Sequence, residues 1–151
     1  MIQVGAKAPD FKLEDQSGNE VSLNDFEGKK VLLSWHPLAF TSICTNQMTD
    51  LDDNAQRFKD ANTVVLGMSV DAQPSKEAWA QAMGLKEIQI LADFHPHAEV
   101  TKAYGVYNDE MGASGRANVL VDENGMVAWV KEYPIKEQPD VEEVFKAIEN
   151  A

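Results

Sequence analysis

The chain has 151 residues and carries 13 Lys and Arg against 25 Asp and Glu, a formal charge of −12. With 44% hydrophobic residues, the composition fits one domain over residues 1–151 whose core forms without disulfides or structural metal, and it excludes intrinsic disorder. The lone Cys44 excludes an intrachain disulfide, a C-x-x-C redox pair and any cysteine-based zinc site, because each needs a second sulfur.

Met1 to Pro9 show no basic stretch followed by an apolar one, and apolar runs elsewhere are short. A cytoplasmic protein in a reducing compartment is expected. The acidic excess repels phosphate backbones and anionic lipid, which argues against nucleic acid and membrane partners.

From Phe11 to Leu23, apolar and polar residues alternate around Gly18, which predicts a β-hairpin. Val31 to Trp35 is a short apolar run that suits a central buried strand. Ser42 to Asp60 reads as one helix, with Met48, Leu51, Ala55 and Phe58 on its apolar face and its start at or near Cys44. Thr63 to Ser69 is the next strand. A helix opens at Pro74 and carries Ala78, Trp79, Ala82 and Met83 before Gly84 stops it. Ile88 to Ala92 is a strand, and a short helix from Ala98 to Tyr104 ends at Gly105. The loop Asn108 to Gly115 leads into a strand from Arg116 to Val121. The turn at Asp122 to Gly125 folds that strand back onto Met126 to Tyr133, and a last helix runs from about Pro139 to Ile148. Strand and helix alternate first, and a hairpin plus helix close the chain, so the predicted class is α/β, a mixed sheet with helices on both faces.

Chemistry concentrates around Cys44. The thiol falls in the first turn of a helix that follows a buried strand, where unpaired backbone N–H groups and the helix dipole favour an anion. Thr41, three residues earlier, aims a hydroxyl toward the same end, and Pro37 offers a wall without an N–H. The placement alone is equally compatible with a packed, inert cysteine.

The run Pro37-x-x-x-Thr41-x-x-Cys44 resembles the active-site signature of the peroxiredoxins. The likeness extends to Ala8-Pro9-Asp10-Phe11, the Ala103-Tyr-Gly105 turn and Gly115-Arg116 entering Val119-Leu-Val-Asp122, essentially the whole chain. Pro37-Leu-Ala-Phe-Thr41 and Asp93-Phe-His-Pro-His97 are most similar to the alkyl hydroperoxide reductase E-like subgroup. With one cysteine the chain resembles a one-cysteine peroxiredoxin.

The resemblance implies a thioredoxin-like fold with an N-terminal β-hairpin and a central mixed sheet. It implies reduction of hydrogen peroxide and organic hydroperoxides through a Cys44 sulfenic acid, resolved by an external thiol, either a small molecule or a thioredoxin-like protein. Cys44 is then the nucleophile, Thr41 a hydrogen-bond partner of the peroxide oxygens, Arg116 the group that holds the thiolate and Pro37 a shield. No cofactor or metal is implied. A homodimer is, with Phe40, Trp79 and Tyr104 as candidate interface residues, Trp79 and Tyr104 reading equally as core.

Two positions depart from the common pattern. Gln47 stands where many relatives carry Glu, so any contact with Arg116 becomes a neutral hydrogen bond and the orientation of the arginine is open. His36, before Pro37, is either a tuning residue for Cys44 or a packed imidazole. Other signals are weaker. His95 and His97 lack a third ligand of suitable spacing and read as capping or packing residues; Gly112 to Gly115 reads as a turn. A cysteine hydrolase using His36 as base, and a silent interaction module, are the competing functions for Cys44.

Overall fold

The computed structural model describes residues 1–151. Its first hairpin is β1 (Lys12–Glu14) and β2 (Glu20–Ser22), and a 3-10 turn, Leu23–Phe26, leads to β3 (Lys30–Trp35). Then come α1 (Ser42–Asp53), α2 (Ala55–Asp60), β4 (Thr63–Ser69), α3 (Gln73–Met83), β5 (Gln89–Ala92) and α4 (Glu99–Ala103). A small pair, β6 (Tyr107–Asn108) and β7 (Ala113–Ser114), precedes β8 (Arg116–Val121), β9 (Val127–Tyr133) and α5 (Val141–Asn150).

Seven strands form one sheet in the order β2-β1-β5-β4-β3-β8-β9. The three central strands β3, β4 and β5 are parallel, whereas β1, β8 and β9 pair antiparallel with their neighbours. The mixed sheet and the N-terminal hairpin agree with the sequence reading. Val31, Leu33 and Trp35 of β3 pack with Leu66, Leu91, Val119, Val100 and Tyr104 on one face. Leu32, Val65, Ile90 and Leu120 pack on the other face with Met48, Phe58, Trp79 and Val144. This alternation, period two along each strand, puts α4 on one side and α1, α2, α3 and α5 on the other.

Several local expectations change. The helix over 42–60 is broken at Asn54, whose backbone sits at φ −100° and ψ 14° and whose side chain donates to the Asp50 carbonyl at 2.8 Å. The apolar face survives, since Met48, Leu51, Ala55 and Phe58 are all buried. In α3 the buried residues are Lys76, Trp79 and Ala80, while Ala78 and Ala82 face solvent. The loop 108–115 contains the β6 and β7 pairing, a two-residue ladder too short to leave a sequence period. Gly84 caps α3 in the left-handed region at φ 66°, as its position suggests.

Gly67, in the centre of β4, is required by close approach. A Cβ there would lie 2.6 Å from the Met48 sulfur and 2.8 Å from Ile90 Cγ2. Met48 belongs to the helix that carries Cys44, so this contact sets how closely α1 lies on the sheet. Gly67→Ala is expected to cost about 1–3 kcal/mol through overpacking, measured by urea unfolding; an unchanged midpoint would mean that Met48 repacks freely.

Candidate active site

Three chain segments converge at the C-terminal end of the parallel strands. β3 delivers Ser34, Trp35 and His36, and the antiparallel pairing of Trp35 with Ala117 brings the start of β8 beside them. Arg116 thereby reaches Cys44, 72 residues earlier in the chain, with Nη1 3.4 Å from Sγ. It is not a surface arginine: only 3% of it is exposed.

The guanidinium is held from three sides. Its Nη1 donates to Gln47 Oε1 at 2.6 Å, and its Nε and Nη2 donate to the Ile135 carbonyl at 3.1 and 2.8 Å. Gln47 presents oxygen rather than nitrogen because its amide NH₂ is engaged by Ser34 Oγ at 2.8 Å and the Trp35 carbonyl at 3.2 Å. The neutral side chain at position 47 therefore orients the arginine, which answers the question left by the missing glutamate.

Cys44 is the third residue of α1 and 1% exposed. Thr41 is the N-cap, yet its hydroxyl makes no capping bond and donates instead to the Leu38 carbonyl at 2.8 Å. The expected aim toward the helix end is thus altered. Thr41 remains exposed one turn before the thiol without a hydrogen bond to it, and its oxygen keeps its acceptor capacity. The first N–H of this turn with a backbone partner is that of Thr45, bonded to the Thr41 carbonyl at 2.9 Å. Pro37 is buried at the end of β3. The loop is pinned by the Asp71 carboxylate, which accepts from the Ala39 N–H at 2.9 Å and from Ser69 Oγ at 2.6 Å. Phe40 is 59% exposed and sits at φ 66°, a strained conformation for a residue with a Cβ.

His36 is fully buried, with its ring centroid 5.0 Å from that of Trp79. Its Nε2 lies 2.9 Å from Nζ of Lys76, a residue absent from the sequence reading and itself 0% exposed. The available signal was helical spacing, because Lys76 lies three residues before the buried Trp79. Burial holds the imidazole well below its ordinary range, with the charges of Lys76 and Arg116 acting in the same direction, so His36 is neutral near pH 7. Burial pushes Lys76 down to about 7, against Asp71 and Cys44, which favour its charged form.

His97 is occupied elsewhere: Nε2 contacts the Gly112 carbonyl at 2.9 Å and its ring meets Tyr107 edge-on. Trp79 and Tyr104 are buried within the chain, so among the three expected interface aromatics only Phe40 is exposed.

The Lys76 shift has a sign that stability measurements can read. An unfolded lysine keeps its proton to about pH 10, whereas the folded one releases it near 7. Between those limits the unfolded state binds more protons, so this group's contribution to stability rises with pH. Lys76→Met is expected to be stabilised relative to wild type at pH 7, with the difference shrinking toward pH 10 in urea unfolding; a difference that grows would overturn the assignment.

Residues 4–130 match the model of the AhpC/TSA family. The chain is 39% identical over 132 residues to alkyl hydroperoxide reductase E of Mycobacterium tuberculosis (strain H37Rv), covering 87% of this chain and 86% of that protein. It is 30% identical over 152 residues to peroxiredoxin 2 of Picrophilus torridus, covering 97% and 74%. Among solved structures it is similar to reduced Plasmodium vivax 2-Cys peroxiredoxin, with a TM-score of 0.90, 32% identity and 99% and 81% of the two chains covered. The fold is also that of Enterococcus faecalis AhpC, with a TM-score of 0.92 at 23% identity, covering 99% and 92%. A buried arginine on a lone helix-start cysteine, inside a sheet shared with these proteins over nearly its whole length, places the chain in the AhpC/TSA family, as a peroxiredoxin with a single cysteine.

Proposed function

We propose that this chain, a thiol-dependent peroxidase by family, carries out its chemistry at Cys44 with residues 1–151 acting as one domain. The observation that carries the reading is the Arg116 guanidinium at 3.4 Å from Sγ, buried and without a carboxylate partner. A cation so placed favours the anionic form of the sulfur and any negative charge that develops beside it.

In the proposed reaction the Cys44 thiolate attacks the terminal oxygen of a hydroperoxide. An S–O bond forms and the O–O bond breaks, so the sulfur loses two electrons and the peroxide gains them. The departing alkoxide, or hydroxide when the substrate is hydrogen peroxide, takes up from solvent the equivalent of the proton that the thiol released on ionising and leaves as alcohol or water. Arg116 stabilises the charge as it moves from sulfur to oxygen. Thr41 Oγ1 accepts from the peroxide O–H, Pro37 shields the sulfur, and Gln47 acts through Arg116 by fixing its orientation. His36 is buried, its Nε2 is engaged by Lys76 rather than by Cys44, and burial weakens it as a base, all of which is unfavourable to the hydrolase reading, in which the imidazole must take the proton of the thiol.

The sulfenic acid has no second thiol in its own chain. An external thiol attacks its sulfur, water leaves, and a mixed disulfide forms that a further thiol releases as reduced Cys44. The proposal includes a cytoplasmic location, where small thiols and thioredoxin-like proteins supply that reductant, and a homodimer formed near the exposed Leu38 and Phe40. No helix is long and apolar enough to cross a membrane.

Cys44→Ser is expected to abolish hydrogen peroxide consumption in stopped-flow assays. Arg116→Ala should lower the second-order rate by roughly 100-fold, the scale for loss of one charge-stabilising donor. Thr41→Val should be impaired more than Thr41→Ser. Losses that track urea stability instead would mark both residues as structural. One equivalent of peroxide should add one oxygen to the intact mass, and excess peroxide without thiol should drive the sulfur on to sulfinic and sulfonic forms; a covalent dimer as the main product would contradict the scheme.

A further inference from the structure

Lys76 has no role in the chemistry above, and its burial needs a reason. Its ammonium group is fully enclosed and makes no ion pair, and its one side-chain hydrogen-bond partner is the His36 ring at 2.9 Å. A lysine kept only to fill space would be replaced by methionine without the cost of desolvating a charge. The pair is also tied to the active-site helix. Trp79, one turn along α3, packs against His36 and donates its indole N–H to Thr45 Oγ1 at 3.2 Å, next to Cys44 in sequence.

The charged and titratable groups facing Lys76 come from four elements. His36 follows β3, Asp71 follows β4, Cys44 lies on α1, and Arg116 begins β8 and acts on the His36 ring. The Trp79 ring lies 5.7 Å from Nζ on its own helix. Asp71 is shared, since its carboxylate also holds the Ala39 N–H and Ser69 Oγ. The other negative charge available to Lys76 is the Cys44 sulfur.

We propose that Lys76 is a positioning residue for the peroxidase reaction: its ammonium, held by His36 Nε2, acts with Arg116 to keep Cys44 as the thiolate. The inference rests on Cys44 being the nucleophile. Coupling between two sites is reciprocal, so the thiolate that favours the proton on Lys76 is favoured by that proton to the same extent. His36 serves as the neutral acceptor. With Nε2 accepting from the ammonium, the ring proton is on Nδ1, a buried atom with no hydrogen-bond partner.

The test is the pH profile of the single-turnover rate with hydrogen peroxide, for wild type, Lys76→Met, Lys76→Gln and His36→Phe. The acid limb, where the rate falls as the thiolate is protonated, is expected to move to higher pH by half to one unit in Lys76→Met, a loss of about threefold to tenfold on that limb. Lys76→Gln keeps a hydrogen bond to the ring without the charge and should show the same displacement. If it instead restores the wild-type limb, the role is a structural hydrogen bond and the proposal fails. His36→Phe should reproduce the shift, because an ammonium without its acceptor gives up its proton, and the Lys76→Met/His36→Phe double variant should go no further than either single one. Unmoved limbs, or limbs that add in the double variant, would overturn the proposal. Cys44→Ser is the separate control: persistent peroxide consumption there would refute the nucleophile itself, whatever the lysine variants do.

Discussion

The site is organised around a buried guanidinium that has no carboxylate. Arg116 has four of its N–H directions engaged, by Gln47, by Cys44 and twice by the Ile135 carbonyl, and all of these partners are formally neutral when the sulfur is a thiol. Neutral acceptors satisfy geometry but leave the charge itself uncompensated in a medium of low dielectric constant. The sulfur is the one partner among them that can ionise, and in the proposed reaction its thiolate supplies the missing counter-charge. Bringing that sulfur to the guanidinium is the requirement on which the rest of the site depends.

Meeting that requirement depends on the period of the strands. On β3 the residues that alternate away from Val31, Leu33 and Trp35 are Leu32 and Ser34, and His36 continues the row past the strand end. On β8 the corresponding row is Arg116, Asn118 and Leu120. One face of the sheet therefore becomes polar at a single end, and α1 and α3 bring Gln47, Cys44 and Lys76 down onto it. The opposite face of the same strands is wholly apolar and carries much of the core, including Trp35, whose indole N–H is satisfied by Thr101 at 3.1 Å. A mixed sheet is essential here. With β8 antiparallel to β3, the beginning of β8 meets the end of β3; a parallel β8 would put Arg116 at the far edge.

Much of this was legible in the chain. The order of strands and helices followed from apolar runs and from turn residues such as Gly84 and Gly125, and Pro37, Thr41 and Cys44 form a local motif whose spacing survives any fold. Arg116 is different: only the likeness to a family singled it out, because pairing across 72 residues leaves no local period. The break at Asn54 was invisible since the apolar residues on either side stay in phase, and the interruption lies in one side chain turned back to the Asp50 carbonyl. Lys76 was passed over at the opening of α3, because a lysine is ordinarily taken for a solvated charge. What reverses that reading is a ring nitrogen 40 residues away at the end of β3, a partner that periodicity does not reveal.

The placement of these polar groups explains why the pinned loop and the sheet edge act together. Asp71 joins the Ala39 N–H to Ser69 at the end of β4 and also favours the charged form of Lys76. Ser114 Oγ donates to the His36 carbonyl at 2.9 Å, which ties the β7 segment, two residues before Arg116, to the same strand end. Each of the two basic side chains is therefore anchored to the segment that delivers the other: His36 holds Lys76 and is itself fastened beside Arg116, while Gln47 holds Arg116 and is fastened to Ser34 and Trp35 immediately before His36. A displacement of the end of β3 would move both basic groups relative to Cys44 at once. The sulfur's environment is consequently a property of that strand end and its cross-links, and the helix start supplies only one part of the field that acts on it.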